Sequence, residues 1–258
     1  VGIGPEIIVR AIAGGAAQGC VVVGDVAVLG RAAALVAGGG GAGGGGGKDI
    51  GLPLAQLDSP ADVAAAPPSS IALWQPPGLP TGLAELPWGR IDARAGAAAA
   101  HCIEAAVQAV QRGEGCGIVT APIHKEALAA AGVPYPGHTE MLQALAAVPG
   151  QAPPPVRMML ANPELRVVLV TIHMSLRAAI DALSTEGVLQ TLRITQAAAQ
   201  AWGQPRARIA VAGLNPHAGE SGLFGDEEQR LIAPAIAAAR AEGIDAQGPF
   251  APDTVFMR

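Results

Sequence analysis

Short runs of branched apolar residues alternate along this chain with longer alanine-rich stretches, and this alternation restricts the fold more than any other feature. Val21-Val-Val23, Ile71-Ala-Leu-Trp74, Val167-Val-Leu-Val170 and Ile209-Ala-Val-Ala212 each have the length of a strand. Between them lie segments with apolar residues at helical spacing, such as Ile103, Val107 and Val110 within residues 91–112. Strands separated by helices favour an α/β fold, with mostly parallel sheets and helices on both faces. At 258 residues the chain has room for one large or two modest α/β domains. Half of it is hydrophobic but only 3% is aromatic, so the core must be built from Ala, Val, Leu and Ile.

Taken in order, the pattern predicts a helix from Pro5 onward, with Glu6 at its positive end. A strand follows within 19–25, and a helix over 26–36. Residues 38–47 are almost all glycine. They contain GxGxxG after a helix rather than a strand, which is not the dinucleotide-binding context, so they read as a flexible loop. Further expectations are a strand at 71–74, a helix over 91–112, a strand and tight turn at 117–123, and a short helix over 124–132. Thr139 is the expected N-cap of the next helix. Residues 156–161 and 165–171 read as central strands covered on both sides. A loop over 175–181, helices over 187–202 and 226–242 and a buried strand at 208–213 complete the reading.

The formal net charge of −5 argues against an electrostatic nucleic-acid binder. The three cysteines, Cys20, Cys102 and Cys116, lack CxxC spacing and read as packed thiols of a reducing compartment. No secretion signal and no purely apolar run long enough to span a membrane is visible, so the expected location is cytoplasmic.

Three segments carry candidate chemistry. His173 and His217 each follow a strand-like run, and ligands of open α/β sheets gather beyond the carboxyl ends of strands. Two imidazoles so placed are candidates for one divalent metal site, with Asp253 a possible nearby carboxylate. The ordinary alternative is that each histidine satisfies a backbone group at a strand end. Gly137-His138-Thr139-Glu140 at a helix start could hold a phosphate or carboxylate on free N–H groups; otherwise it is a capped helix. Lys125, at a strand-to-helix turn, could bind an anion or move a proton, or could be a solvated lysine. His101, inside an alanine-rich helix, is given no chemistry. Glu220, Asp226 and Glu227 read as charges of the following helix.

The ordered motifs Gly-Ile-Gly-Pro-Glu, Thr-Ala-Pro-Ile-His-Lys-Glu, Gly-His-Thr-Glu, Met-Met-Leu-Ala, Thr-Ile-His, Gly-Leu-Asn-Pro-His-Ala-Gly-Glu and Ala-Pro-Asp-Thr span nearly the whole chain. On these, the chain resembles the 4-hydroxythreonine-4-phosphate dehydrogenase family of vitamin B6 biosynthesis. The resemblance implies an isocitrate/isopropylmalate-dehydrogenase-like fold with two domains around a cleft, here divided as residues 1–120 and 121–258. It implies a homodimer with the active site at the interface. It also implies NAD⁺-dependent oxidation of 4-phosphooxy-L-threonine, loss of CO₂, and 3-amino-2-oxopropyl phosphate as product.

In this family a divalent ion (Zn, Mg or Co) is held by three histidines. Two of them match His173 and His217, and the third is expected beyond Arg258. His138 and Thr139 match the substrate-binding pair, and Lys125 and Asp253 match motif positions near the site. Both ends look cut, so the chain as it stands is expected to be inactive. Three other readings stay open. One is a paralogue acting on D-threonate 4-phosphate, D-erythronate 4-phosphate or a cyclic diol acid. The others are a metal-dependent hydrolase and a non-catalytic α/β fragment.

Overall fold

The computed structural model describes residues 2–38, 51–148 and 150–257. Most of the glycine-rich stretch lies outside them. The chain divides into two compact units, Val1–Pro154 and Pro155–Arg258.

The first unit opens with α1 (Gly4–Ala13), with Pro5 and Glu6 in its first turn as the sequence suggests. Then come β1 (Val22–Val23), α2 (Val26–Gly38), β2 (Leu54–Leu57) and β3 (Ile71–Trp74). The three strands form one parallel sheet in the order β1-β3-β2. The unbroken apolar run Ile71-Ala-Leu73 belongs to the middle strand and is buried at every position. That is what a strand covered on both faces requires. Ile71 and Leu73 meet Val9 of α1 and Leu29, Ala32 and Val36 of α2 in one aliphatic core.

Next come α3 (Ala93–Gln111), α4 (Lys125–Ala130) and α5 (His138–Leu145). Asp92 caps α3 by accepting from the Arg94 N–H at 2.8 Å. Leu128 of α4 and Met141 of α5 bury against Ala100 and Ile103 of α3. This packing explains why the division falls after Pro154 and not between 120 and 121: α4 and α5 rest on a helix of the first unit. Residues 117–123, expected to begin with a strand, form none, and Val119 is 93% exposed.

The second unit comprises β4 (Met159–Ala161), β5 (Arg166–Val168), α6 (Leu176–Ala182), α7 (Thr185–Ala201), β6 (Ile209–Ala212), α8 (Ala233–Ala241) and β7 (Ala246–Phe250). Ser175 and Ser184 cap α6 and α7 through their hydroxyls. β4 and β5 pair antiparallel and are short, with Leu160 61% exposed. They are therefore not the central buried strands the sequence suggested. The cause is local: Asn162 Oδ1 accepts from the N–H groups of Glu164 and Leu165 at 2.9 and 2.6 Å, closing a tight reversal.

β6 and β7 pair in parallel. β6 is only half-buried, because Ala210 and Ala212 face outward. Val188, Leu189 and Leu192 of α7 close the core with Ile232, Ala235, Ile236 and Ala239 around α8. The helix expected over 226–242 is split: a π-turn, Glu228–Ile232, precedes α8. Among the described residues no helix is long and apolar enough to cross a membrane.

Cys20 and Cys116 are exposed rather than packed, while Cys102 lies on α3. Burial, with a contribution from Asp25, pushes the Cys102 thiol up to about 11. Thiolate is the reactive form. A disulfide exchange reagent at neutral pH is expected to modify Cys20 and Cys116 first, and Cys102 only on unfolding. Equal rates at all three, read by peptide mapping, would contradict this environment.

α3 and α4 touch at Gly96, where a Cβ would overlap the Ala127 carbonyl. Alanine would gain up to about 1 kcal/mol of helix propensity there. A clash with backbone cannot be relieved by a rotamer and costs ~1–3 kcal/mol. Gly96→Ala is therefore expected to lower the urea midpoint. Gly117→Ala, where nothing stands within 4 Å of the new carbon, is expected to change it little. Equal midpoints for the two variants would contradict the close helix contact.

Candidate active site

In the first unit, the packing of α4 and α5 on α3 brings together Lys125, Gly137 and His138. Lys125 is exposed in the first turn of α4. Its Cε lies 3.9 Å from where a Cβ on Gly137 would stand. Gly137, and not Thr139, is the N-cap of α5: the Met141 N–H donates to the Gly137 carbonyl at 3.3 Å. Thr139 is thus an exposed side chain of the first turn. No side chain caps this helix, so its first N–H groups remain available to an anion.

His138 Nε2 is buried with no hydrogen-bond partner. Burial lowers the pKa of this imidazole, which keeps it neutral near pH 7. The Glu140 carboxylate approaches the same point, its Oε2 3.5 Å from the Cβ position of Gly137. An arriving anion would have to displace Glu140 from that approach. An ammonium group, free helix N–H groups and an orphaned imidazole nitrogen together suit a phosphate or carboxylate.

In the second unit, β6 and β7 run parallel, and the Gly213 N–H donates to the Phe250 carbonyl at 2.7 Å. The segments leaving both strands therefore emerge at one carboxyl edge. They carry His217 on one side and Asp253 on the other. Asp253 is exposed in the turn after β7. His173 stands on a turn beyond β5, which ends at Val168, rather than at a strand tip.

Both His173 and His217 are exposed and both have left-handed backbone, with φ of 52° and 54°. His217 also lies near the Phe224 ring, with centroids 6.0 Å apart. Among the described residues no group hydrogen-bonds either imidazole. The ordinary alternative, a histidine satisfying a strand-end backbone group, thus does not hold for either. Left-handed backbone at non-glycine residues concentrates at functional sites. An exposed imidazole without a bonding partner keeps a ring nitrogen open to a ligand. Among the described residues no group of three or more His, Cys, Asp or Glu could hold a metal ion.

One residue escaped sequence reasoning. Glu228 is 3% exposed. Its Oε1 accepts from the N–H groups of Leu214 and Asn215, each at 2.7 Å, and its Oε2 accepts from Asn215 Nδ2 at 2.9 Å. Burial is the largest single influence and pushes its pKa up. Hydrogen bonds from Asn215 and Leu214 outweigh it and hold the carboxyl below its ordinary value. Glu227, beside it, accepts from the same Asn215 amide at 2.7 Å. In sequence Glu228 is one acid among Asp226, Glu227 and Glu228. A carboxylate three residues before an apolar helix face was the available signal.

A family model described as Pyridoxal phosphate biosynthetic protein PdxA matches residues 16–258. The chain belongs to this family. A relative from Beijerinckia indica, named 4-hydroxythreonine-4-phosphate dehydrogenase, is 58% identical over 179 residues, which is 69% of this chain and 52% of its own length. The D-threonate 4-phosphate dehydrogenase of Salmonella typhimurium is 40% identical over 259 residues, covering 100% of this chain and 73% of its own length. The crystal structure of 4-hydroxythreonine-4-phosphate dehydrogenase from Klebsiella pneumoniae is similar at a TM-score of 0.82 and 40% identity, covering 99% of this chain and 72% of that one. The chain thus spans about half of the first relative and under three quarters of the other two.

His138 gives a direct test of the first group. With its folded pKa below the ordinary 6.5, the folded state binds this proton less readily than the unfolded chain. The resulting stability is fully present above 6.5 and is lost as pH falls below it. By NMR the His138 ring is expected to titrate below 6.5, and inorganic phosphate is expected to move the midpoint upward. A midpoint at or above 6.5 without phosphate would contradict the buried, unpartnered nitrogen.

Proposed function

We propose that the protein containing this chain oxidises 4-phosphooxy-L-threonine with NAD⁺. In this reading the secondary alcohol gives up a hydride to the cofactor and a proton to solvent or a base. The resulting β-keto acid then loses CO₂ to give 3-amino-2-oxopropyl phosphate. The observation that carries the reading is the pair of exposed, unbonded imidazoles on left-handed turns, His173 and His217. A divalent ion held there would lower the pKa of the substrate hydroxyl, and NAD⁺ would accept the hydride.

The residues of this chain supply binding and orientation. Lys125 and the N-terminus of α5, with His138 and Thr139, would hold an anionic group of the substrate. His138, kept neutral by burial, can donate one hydrogen bond without adding charge. Asp253, at the same sheet edge as His217, is the candidate carboxylate for proton movement. The reading also takes from the family an isocitrate-dehydrogenase-like fold and a homodimeric enzyme.

A second substrate has specific support, since a relative covering the whole chain is named D-threonate 4-phosphate dehydrogenase. The two substrates share a phosphate, a hydroxyl and a carboxylate, and differ in an amino or hydroxyl group next to the carboxylate. The groups named above bind what they share.

The complete gene product should form NADH from one of these substrates only with a divalent ion present. His173→Ala and His217→Ala should each lose bound metal by elemental analysis. His138→Ala should raise KM more than it lowers kcat. NADH formation from D-threonate 4-phosphate alone would select the second substrate. Phosphate release without NAD⁺ would replace both with the hydrolase reading.

A further inference from the structure

His217 begins a run of left-handed backbone found nowhere else among the described residues. His217, Ala218, Gly219, Glu220 and Ser221 have φ of 54°, 54°, 77°, 42° and 59°. An L-residue in this conformation costs roughly 1–2 kcal/mol, and four of these five are not glycine. The turn persists only if its surroundings over-determine it.

Those surroundings centre on Glu228. Its carboxylate fixes two successive N–H groups, of Leu214 and Asn215, at the entrance of the turn. It also receives the Asn215 side chain, whose backbone carbonyl accepts from the Ala218 N–H at 3.1 Å inside the turn. At Gly219 a Cβ would stand 2.8 Å from Glu228 Oε2 and 2.8 Å from the Gly225 carbonyl oxygen. The middle of the turn therefore closes directly onto the same carboxylate. The His217 ring itself stays exposed and hydrogen-bonds none of these groups.

We propose that Glu228 is a positioning residue for His217. Acting through the backbone of Leu214 and Asn215, it holds the left-handed turn that presents the imidazole for ligation. This rests on the assignment of His217 as a ligand, and the two ideas fail in different ways.

The complete gene product, stripped of metal, is titrated with Zn²⁺ against a chromophoric chelator, and amide exchange is followed over residues 214–221. Glu228→Gln keeps the size but turns a donor toward the Leu214, Asn215 or side-chain N–H. It should weaken Zn²⁺ binding by about 10–100-fold, the usual effect of losing a group that orients a ligand. It should also speed exchange over 214–221. Leu192→Ala, a core truncation in the same unit, should lower the melting temperature without changing Zn²⁺ affinity.

If Glu228→Gln does not fold, Asn215→Ala serves instead. It removes one donor to the carboxylate and should weaken Zn²⁺ binding in the same direction by less. Where His217→Ala weakens Zn²⁺ binding, unchanged Zn²⁺ affinity in the folded Glu228 variant, or in Asn215→Ala, overturns the proposal. If wild type and His217→Ala bind Zn²⁺ equally, the ligand assignment fails. The exchange data then decide for Glu228 alone: faster exchange over 214–221 upholds its hold on the turn, and unchanged exchange overturns it.

Discussion

The Glu228 carboxylate lies buried among the N–H groups of Leu214 and Asn215 and the Asn215 amide, and the geometry of the His217 turn follows from that contact. A buried charge costs several kcal/mol in lost hydration. Hydrogen bonds to a charged group each contribute about 1.5–3 kcal/mol. Three such bonds are enough to keep the carboxylate both buried and ionised, which agrees with the downward direction of its pKa. The chain thus exchanges one interior charge for an imidazole that reaches solvent with nothing bonded to it.

The first unit reaches a comparable result without a buried charge. There the close contact at Gly96 lets α4 lie against α3, and Leu128 and Met141 seat α4 and α5 on one apolar face. With both helices fixed on α3, the Lys125 side chain passes beside Gly137 at the uncapped start of α5. Lys125, His173 and His217 are exposed, while Gly96 and Glu228, which shape the backbone near them, are buried.

Much of this was legible in the sequence, where periodicity decides. The continuous run Ile71-Ala-Leu73 marked a strand, though not its central place in the sheet, and Pro5 with Glu6 marked the start of α1. His173 and His217 drew notice because strand-like runs lead into them, and His138 because it sits at a helix start. What stayed hidden depends on pairing. Residues 156–161 and 165–171 have the composition of buried strands, but Asn162 folds them back into an exposed antiparallel pair. Thr139 resembles an N-cap, yet the backbone of Gly137 already occupies that place. Glu228 could not be told from Asp226 and Glu227, because burial and bonding partners are tertiary facts.

The central claim is that the left-handed turn closed by Glu228 presents His217 to a cation. It is tested most directly by a high-resolution crystal structure of the complete, Zn²⁺-loaded protein. The account requires His217 to coordinate the ion with positive φ through residues 217–221. It also requires the Glu228 carboxylate to be within hydrogen-bond distance of the Leu214 and Asn215 nitrogens. A Zn²⁺ ion bound without His217, or a His217 ligand on ordinary right-handed or extended backbone, would contradict it.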